Sequence, residues 1–519
     1  MAAANGAPPS YNLIGFNGNQ WRYDAKYRSA GAGNKTRRHC HCDAAYFGGL
    51  SIPAKTLCKR NADRFGERLR KGVFHISTLD QIKIAYIGGG SQGWARSLMS
   101  DLSIDERMSG TVALYDLDFE AAQKNEVIGN HSGDGRWRYE AVSTLKKALS
   151  GADIVIISIL PGSLEDMEID VHFPERCGIY QSVGDTVGPG GIIRSLRAVP
   201  MFADIARAIR DYAPESWVIN YTNPMSVCTR VLYKVFPGIK AIGCCHEVFG
   251  TQKLLAEMVT ERLGVEVLRR EDIRVNVLGI NHFTWVTEAS YRHIDLLPIF
   301  HEFSSHYGES GYELEGESWR DSVFRSAHRV AFDLFEMYSA IPAAGDRHLA
   351  EFLPGPYLKQ PEVWKFHLTP VSFRKQDRDE KRKETEQLIA QKRGVAGKAS
   401  GEEGVNIIAA LLGLGELVTN VNVPNQGQVS SLPLQAIVET NALVTRNSVQ
   451  PIFSGALPKG VKMLAARHVS NQEAVVEAGL TKDRGLAFQA FLNDPLVTLD
   501  RRDAEQLFDD MLLKHQPIL

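Results

Sequence analysis

Polar and apolar positions alternate through Ile82-Lys83-Ile84 and then fuse into an apolar run up to Ile87. That pattern predicts a strand entering the interior of a sheet. Gly88-Gly89-Gly90-Ser91-Gln92-Gly93 follows, then helical spacing from Trp94 to Leu102. Thr111 to Tyr115 predicts a second strand, ending at Asp116, and Leu117 to Ile128 a helix. Ala152 to Leu160 predicts a third strand and Met201 to Tyr212 a helix. Trp217 to Asn220 is a strand running into Tyr221-Thr222-Asn223-Pro224, and Ala241 to Gly243 a short strand ending at two thiols. Strands alternating with helices predict an α/β protein with a parallel, doubly wound sheet.

Near Gly250 the pattern changes. Val275 to Leu278 and Thr284 to Ala289 are strand-like, set among helical stretches at Arg320 to Tyr338, Lys375 to Lys392, Val405 to Val418 and Asp503 to His515. The expected organisation is a Rossmann domain over 73–250 and a mixed, mainly helical α+β domain over 251–519, the arrangement of lactate and malate dehydrogenases. That second domain would carry substrate, metal and oligomer contacts. Acidic and basic residues interleave from Arg374 to Arg393, which predicts a solvated helix face.

Composition changes this picture little. A chain of 519 residues with 44% hydrophobic and 23% charged residues is an ordinary globular protein of two or more domains. A net charge of −2 gives no field for nucleic acid or anionic membranes. The longest apolar runs are too short to cross a bilayer. Seven cysteines, an odd and sparse set, fit a reducing, cytoplasmic setting. Residues 1–72 differ: 13 Lys and Arg stand against 4 Asp and Glu, and no sustained periodicity appears. They are expected to be a disordered extension or a start-site artefact. His39-Cys40-His41-Cys42 has a metal-like look, but no second ligand pair lies at finger spacing, so chance clustering is the preferred reading.

Gly88, Gly90 and Gly93 fit G-x-G-x-x-G between a predicted strand and a predicted helix, and Asp116 ends the next strand. In that context the glycines admit a pyrophosphate to a helix N-terminus. Asp116 would accept from ribose hydroxyls and repel a 2′-phosphate, which favours NAD over NADP. Ser158 and Pro161, at the end of the third strand, would line the nicotinamide side.

Cys245 and His282 end predicted strands on the same carboxyl edge. A thiolate and an imidazole suit a borderline divalent cation and would leave positions open for vicinal sugar hydroxyls. Single cysteines and histidines are also ordinary core residues, and both readings stand at this point. Cys244 is the expected buried neighbour.

Residues 73–519 resemble glycoside hydrolase family 4, the NAD- and divalent-metal-dependent glycosidases. The likeness is carried by Gly88 to Gly93, by Asn220-Tyr221-Thr222-Asn223-Pro224, by the Cys245/His282 pair and by Asn281-His282. Gly184-Asp185-Thr186-Val187-Gly188-Pro189-Gly190-Gly191 and Gly345-Asp346-Arg347-His348 to Glu351 match as well. Cys245-His246-Glu247-Val248 resembles the α-galacturonidase subgroup of that family, whose phosphosugar members carry Cys-Asp or Cys-Asn. The resemblance implies hydrolysis of short galacturonides by NAD-dependent oxidation at C3, loss of the C2 proton, elimination at C1, addition of water and re-reduction. It implies Mn²⁺ as the expected ion and a homo-oligomer, dimer or tetramer, with no nucleic-acid or membrane partner.

The same resemblance suggests site roles. Asp346 is the expected C2 base, against the alternative of a turn aspartate after Gly345; Tyr338 is a second candidate. His246 is expected to donate to the leaving oxygen or to support the metal site. Asn223 is expected to bind sugar hydroxyls, or to form an Asx turn before Pro224. Glu247 should meet a cation, Arg347 or Arg194, and one such arginine should clamp the sugar carboxylate. The competing functions are an α-glucuronidase or α-galactosidase of the same family, a lactate/malate-type dehydrogenase, and a non-enzymatic NAD-responsive binding protein. The Cys245/His282 pair argues against the last two.

Overall fold

A computed structural model describes residues 78–515 except residue 267. The 1–72 extension, with His39-Cys40-His41-Cys42, lies outside the described residues. The described residues belong to one compact unit.

The first half is an alternating run: β1 (Leu79–Ile87), α1 (Trp94–Ile104), β2 (Met108–Tyr115), α2 (Phe119–Asn130), β3 (Trp137–Val142), α3 (Leu145–Leu149) and β4 (Ile154–Ile157). It continues with α4 (Leu164–His172), α5 (Gly188–Tyr212), β5 (Trp217–Asn220), α6 (Met225–Val235), β6 (Lys240–Gly243) and α7 (Glu247–Leu263). These six strands are parallel, in the order β3-β2-β1-β4-β5-β6. That is the order of dinucleotide-binding sheets. Consecutive residues point to opposite faces, so each strand feeds two cores. Ala85, Ile87, Val155, Ile157 and Val218 pack against Phe202 and Ala203 of α5 and Val231 of α6. Ile84, Tyr86, Leu114, Ile156 and Ile242 pack on the other face against Met99 and Leu102 of α1. This double burial explains why β4 reads as Ile-Val-Ile-Ile, fully buried.

The second half adds β7 (Ile273–Ile280), β8 (Phe283–Tyr291), β9 (Ile294–Asp295), α8 (Leu297–Tyr307), α9 (Arg329–Tyr338), β10 (Ile341–Pro342), α10 (Asp346–Leu349), α11 (Val371–Ala390) and α12 (Gly404–Leu411). It ends with β11 (Leu417–Pro424), β12 (Ile437–Thr445), β13 (Ser448–Pro451), α13 (Lys459–Thr481), α14 (Arg484–Leu492) and α15 (Arg501–Lys514). Its strands do not form a second sheet. Asn422 of β11 pairs antiparallel with Gly243 of β6, and β12, β7, β8 and β10 follow outward.

Three elements differ from the periodicity. α5 begins at Gly188 rather than after Pro200 and carries that proline in its interior. Most of the helix is buried, so tertiary packing overrides the proline's local penalty. The helix expected from Arg320 starts only at Arg329, because His328 sits in the left-handed region at φ 57°. The helix expected over Val405 to Val418 ends at Leu411; Gly413, at φ 86°, turns the chain into β11.

Candidate active site

β1 and β4 are neighbours where the strand order reverses, so a crevice opens beyond their carboxyl ends. It belongs to a cavity of about 2100 Å³ that runs from Gly88 and Asp116 to Cys245, His282 and His348. Single-ligand pockets hold roughly 300–1,000 Å³, so this space suits a dinucleotide and a sugar together. Gly88 sits at φ 98°, and a Cβ there would lie 2.0 Å from the Ser158 carbonyl oxygen. The strands can approach this closely only over glycine. Gly90 N donates to Asp116 Oδ2 at 2.8 Å, and a Cβ on Gly90 would stand 2.9 Å from the same oxygen. Gly93 leads into α1 with open space at its Cβ position and no side-chain cap. Trp94 N is held by Ser91 Oγ at 3.2 Å, and the next first-turn amides of α1 remain available to an anion. These are the fittings a bound dinucleotide needs.

The other end is assembled from distant segments. β7 and β8 form a hairpin whose two-residue turn is Asn281-His282, with His282 in the left-handed region at φ 64°. A non-glycine residue held there marks stored strain at a site. Thr186 Oγ1 donates to Asp185 Oδ1 at 2.7 Å and also contacts His282 Nδ1 at 2.8 Å. A hydroxyl has one hydrogen, so His282 Nδ1 must be the donor in the second contact. Nε2 of His282 is thereby left with a free lone pair, the tautomer a metal needs. The His348 ring lies 3.8 Å from that of His282, centroid to centroid. Donor atoms of Asp185, His282 and His348 all fall within 4.8 Å of one another. Burial pushes His282 down, and burial with the adjacent His282 ring pushes His348 down to about 3, so both imidazoles are neutral ligands. His348 Nδ1 and Asn223 Oδ1 are buried without partners. Asn223 Nδ2 donates to Asp185 Oδ2 at 3.2 Å. Two imidazoles and a carboxylate suit a borderline divalent cation.

Around this group, Glu247 Oε2 accepts from Gly345 N at 2.7 Å, and its Oε1 lies 3.6 Å from His348 Nε2 and 3.9 Å from His246 Nε2. Glu247 thus meets a backbone amide and two imidazoles rather than an arginine. Arg194 Nε instead donates to the Asn223 carbonyl at 3.2 Å. Nδ1 of the half-exposed His246 sits 3.1 Å from Glu402 Oε1, and that hydrogen bond holds His246 up to about 9.

Gly88, Gly90, Gly93, Asp116, Ser158, Asn223, Cys245, His246, Glu247, His282 and Arg347 all line the cavity. Three expected residues do not. Asp346 is fully buried, and its carboxylate accepts from Ala331 N at 3.0 Å and Val330 N at 3.3 Å. It caps α9, whose own N-cap residue offers no side-chain acceptor. Tyr338 packs edge-on against Trp285 at 5.6 Å. Pro161 accepts from Arg197 Nε through its carbonyl, while its neighbours Leu160 and Gly162 face the cavity. Cys245 lines the cavity, but the compact donor group is Asp185, His282 and His348. Asp185 and His348 stood inside matched motifs, and only the fold showed that they converge on His282.

A dinucleotide crevice opening into a buried imidazole–carboxylate group defines a nucleotide-binding α/β enzyme with a place for a divalent ion. The chain matches the Family 4 glycosyl hydrolase pattern over residues 83–261 and the C-terminal domain of that family over 277–497, and it belongs to that family. It is 90% identical over 440 residues to an α-galacturonidase of Bacillus subtilis, covering 85% of this chain and 99% of that one. An α-galacturonidase of Thermoanaerobacterium saccharolyticum is 55% identical over 441 residues, 83% of this chain and 95% of that one. A crystallised candidate glucosidase of Bacillus subtilis is 90% identical with a TM-score of 0.83, covering 83% of this chain and all of that one (100%). A Thermotoga maritima 6-phospho-β-glucosidase, solved with manganese, NAD⁺ and glucose-6-phosphate, shares the fold at 21% identity and a TM-score of 0.68, covering 83% and 98%.

Proposed function

We infer that the protein is an NAD- and divalent-metal-dependent α-galacturonidase acting on short galacturonides. The observation that carries this is the single cavity joining the Gly88–Gly93 crevice to the Asp185–His282–His348 group. The substrate class is supported by the 90% and 55% identical relatives, both α-galacturonidases. When bound, the dinucleotide supplies a reversible hydride acceptor and the metal a Lewis acid. Mn²⁺ is the expected ion, as in the Thermotoga maritima relative. Asp185, His282 and His348 would hold it, and Cys245 lines the same cavity.

The remaining work falls to residues of the chain. Asn223, fixed to Asp185 through Nδ2, keeps Oδ1 free for a sugar hydroxyl. His246, kept protonated by Glu402, stands at the cavity as a proton donor to the leaving oxygen. Glu247, anchored through Oε2 on Gly345 N, holds its charge 3.6 Å from the His348 ring. The four free cysteines among the described residues fit a reducing cytoplasm. No helix among those residues is long and apolar enough to cross a membrane. The assembly expected is a dimer or tetramer.

A panel of p-nitrophenyl glycosides and digalacturonate, assayed with NAD⁺, Mn²⁺ and a thiol reductant, tests the assignment. Release from galacturonides, abolished by a chelator or by omitting NAD⁺, is expected. Release only from galactosides or glucuronides would refute the substrate. Activity without NAD⁺ would refute the chemistry. Deuterium uptake at C2 in D₂O tests proton removal independently.

A further inference from the structure

Helix α11, predicted as a solvated charged face, sends Phe373 and Arg374 into the cavity wall. There they meet Phe324 and Arg347. The Arg347 guanidinium lies 5.1 Å from the centre of the Phe324 ring and that of Arg374 5.8 Å from the same ring. Phe324 and Phe373 pack edge-to-face at 5.4 Å and remain partly exposed, 47% and 36%. Arg347 itself is only 8% exposed. Nε of both arginines is buried without a hydrogen-bond partner, and neither guanidinium joins an ion pair among the described residues. Of the nearby carboxylates, Glu351 Oε1 accepts from Val183 N at 2.7 Å and Gly184 N at 2.8 Å while its Oε2 is buried without a partner, and Glu247 Oε2 accepts from Gly345 N at 2.7 Å.

Two guanidiniums sharing one aromatic ring repel each other, and burial magnifies that repulsion. Buried donors left unpaired add to the penalty. An anion bridging the pair relieves both, and a carboxylate matches the guanidinium fork. The exposed phenylalanine faces beside it suit the apolar side of a pyranose. Arg347 adjoins His348 on α10, and both line the same cavity as Arg374. We propose that Arg347 and Arg374 together clamp the sugar carboxylate of the substrate, with Phe324 and Phe373 against the ring, making Arg374 a specificity-determining residue. The proposal rests on the galacturonide reading above.

The test titrates D-galacturonate and D-galactose into the protein with NAD⁺ and Mn²⁺ present, for the parent, R374Q and R374K, alongside steady-state kinetics on the galacturonide. R374Q should weaken galacturonate binding on the order of 30-fold, the scale of a charge-assisted contact. It should leave galactose binding unchanged and raise KM with kcat held within about threefold. R374K, with the charge but not the fork, should fall between. Unchanged galacturonate affinity in R374Q would overturn the clamp. Parallel loss of both sugars would show a merely structural role and overturn it too. A parent enzyme that prefers galactose would instead overturn the galacturonide reading itself, which separates the two failures.

Discussion

The two ends of the cavity are built in opposite ways. The dinucleotide end is local: Gly88 to Gly93 are contiguous, and Asp116 reaches them through one parallel strand pairing. The sugar end draws Asp185, Asn223, His246, His282, Arg347 and Arg374 from six separate segments. A local site is written as a motif because backbone geometry forces particular residues. A dispersed site is held by the fold, so each member looks ordinary in its own segment.

Substitutions at the two ends should therefore fail differently. His282→Ala removes a central ligand, so kcat/KM should fall on the order of 10³-fold or more and bound metal be lost, with NAD⁺ affinity kept. Loss of NAD⁺ affinity in the same variant, read by fluorescence titration, would show that the ends are not separable. Gly88→Ala sets a Cβ 2.0 Å from a carbonyl oxygen at φ 98°. It should destabilise the protein by about 3 kcal/mol in denaturant titrations and abolish NAD⁺ binding. Asp116→Asn keeps the shape but loses a charged acceptor, and NAD⁺ affinity should fall about 10-fold with metal binding intact. Unchanged NAD⁺ affinity would remove Asp116 from the ribose site.

The smallest effect on chemistry is expected at Asp346. Asp346→Asn weakens the cap of α9 and should lower stability by about 1–2 kcal/mol. Its kcat should stay within about threefold of the parent. A collapse of kcat with stability and NAD⁺ binding intact would return Asp346 to the chemistry and erase the contrast with His282.

Much of the fold was legible. β1, β2, β4, β5 and β6 stand where periodicity places them, because strands buried on both faces need continuous apolar runs. β3 and β9 to β13 were not read, nor were α3, α4, α6, α7, α8, α10, α13 and α14. At the site, the glycines, Asp116, Cys245 and His282 were named in advance. Asp346 and Tyr338 do not line the cavity, because sequence position does not give side-chain direction. Asp346 is one residue from Arg347 and two from His348, yet on the short helix α10 its carboxylate turns toward α9 while theirs face the cavity.

By itself the sequence determined the doubly wound sheet and the dinucleotide turn, since burial on two faces and a φ 98° glycine are requirements of neighbouring residues. Only the tertiary structure decided that Asp185 and His348 join His282, and that α11 brings Arg374 to Arg347. Asp185, His282 and His348 stand 66 or more positions apart from one another. Such contacts form when the sheet packs its hairpin, helices and loops onto one edge, and no local periodicity encodes them.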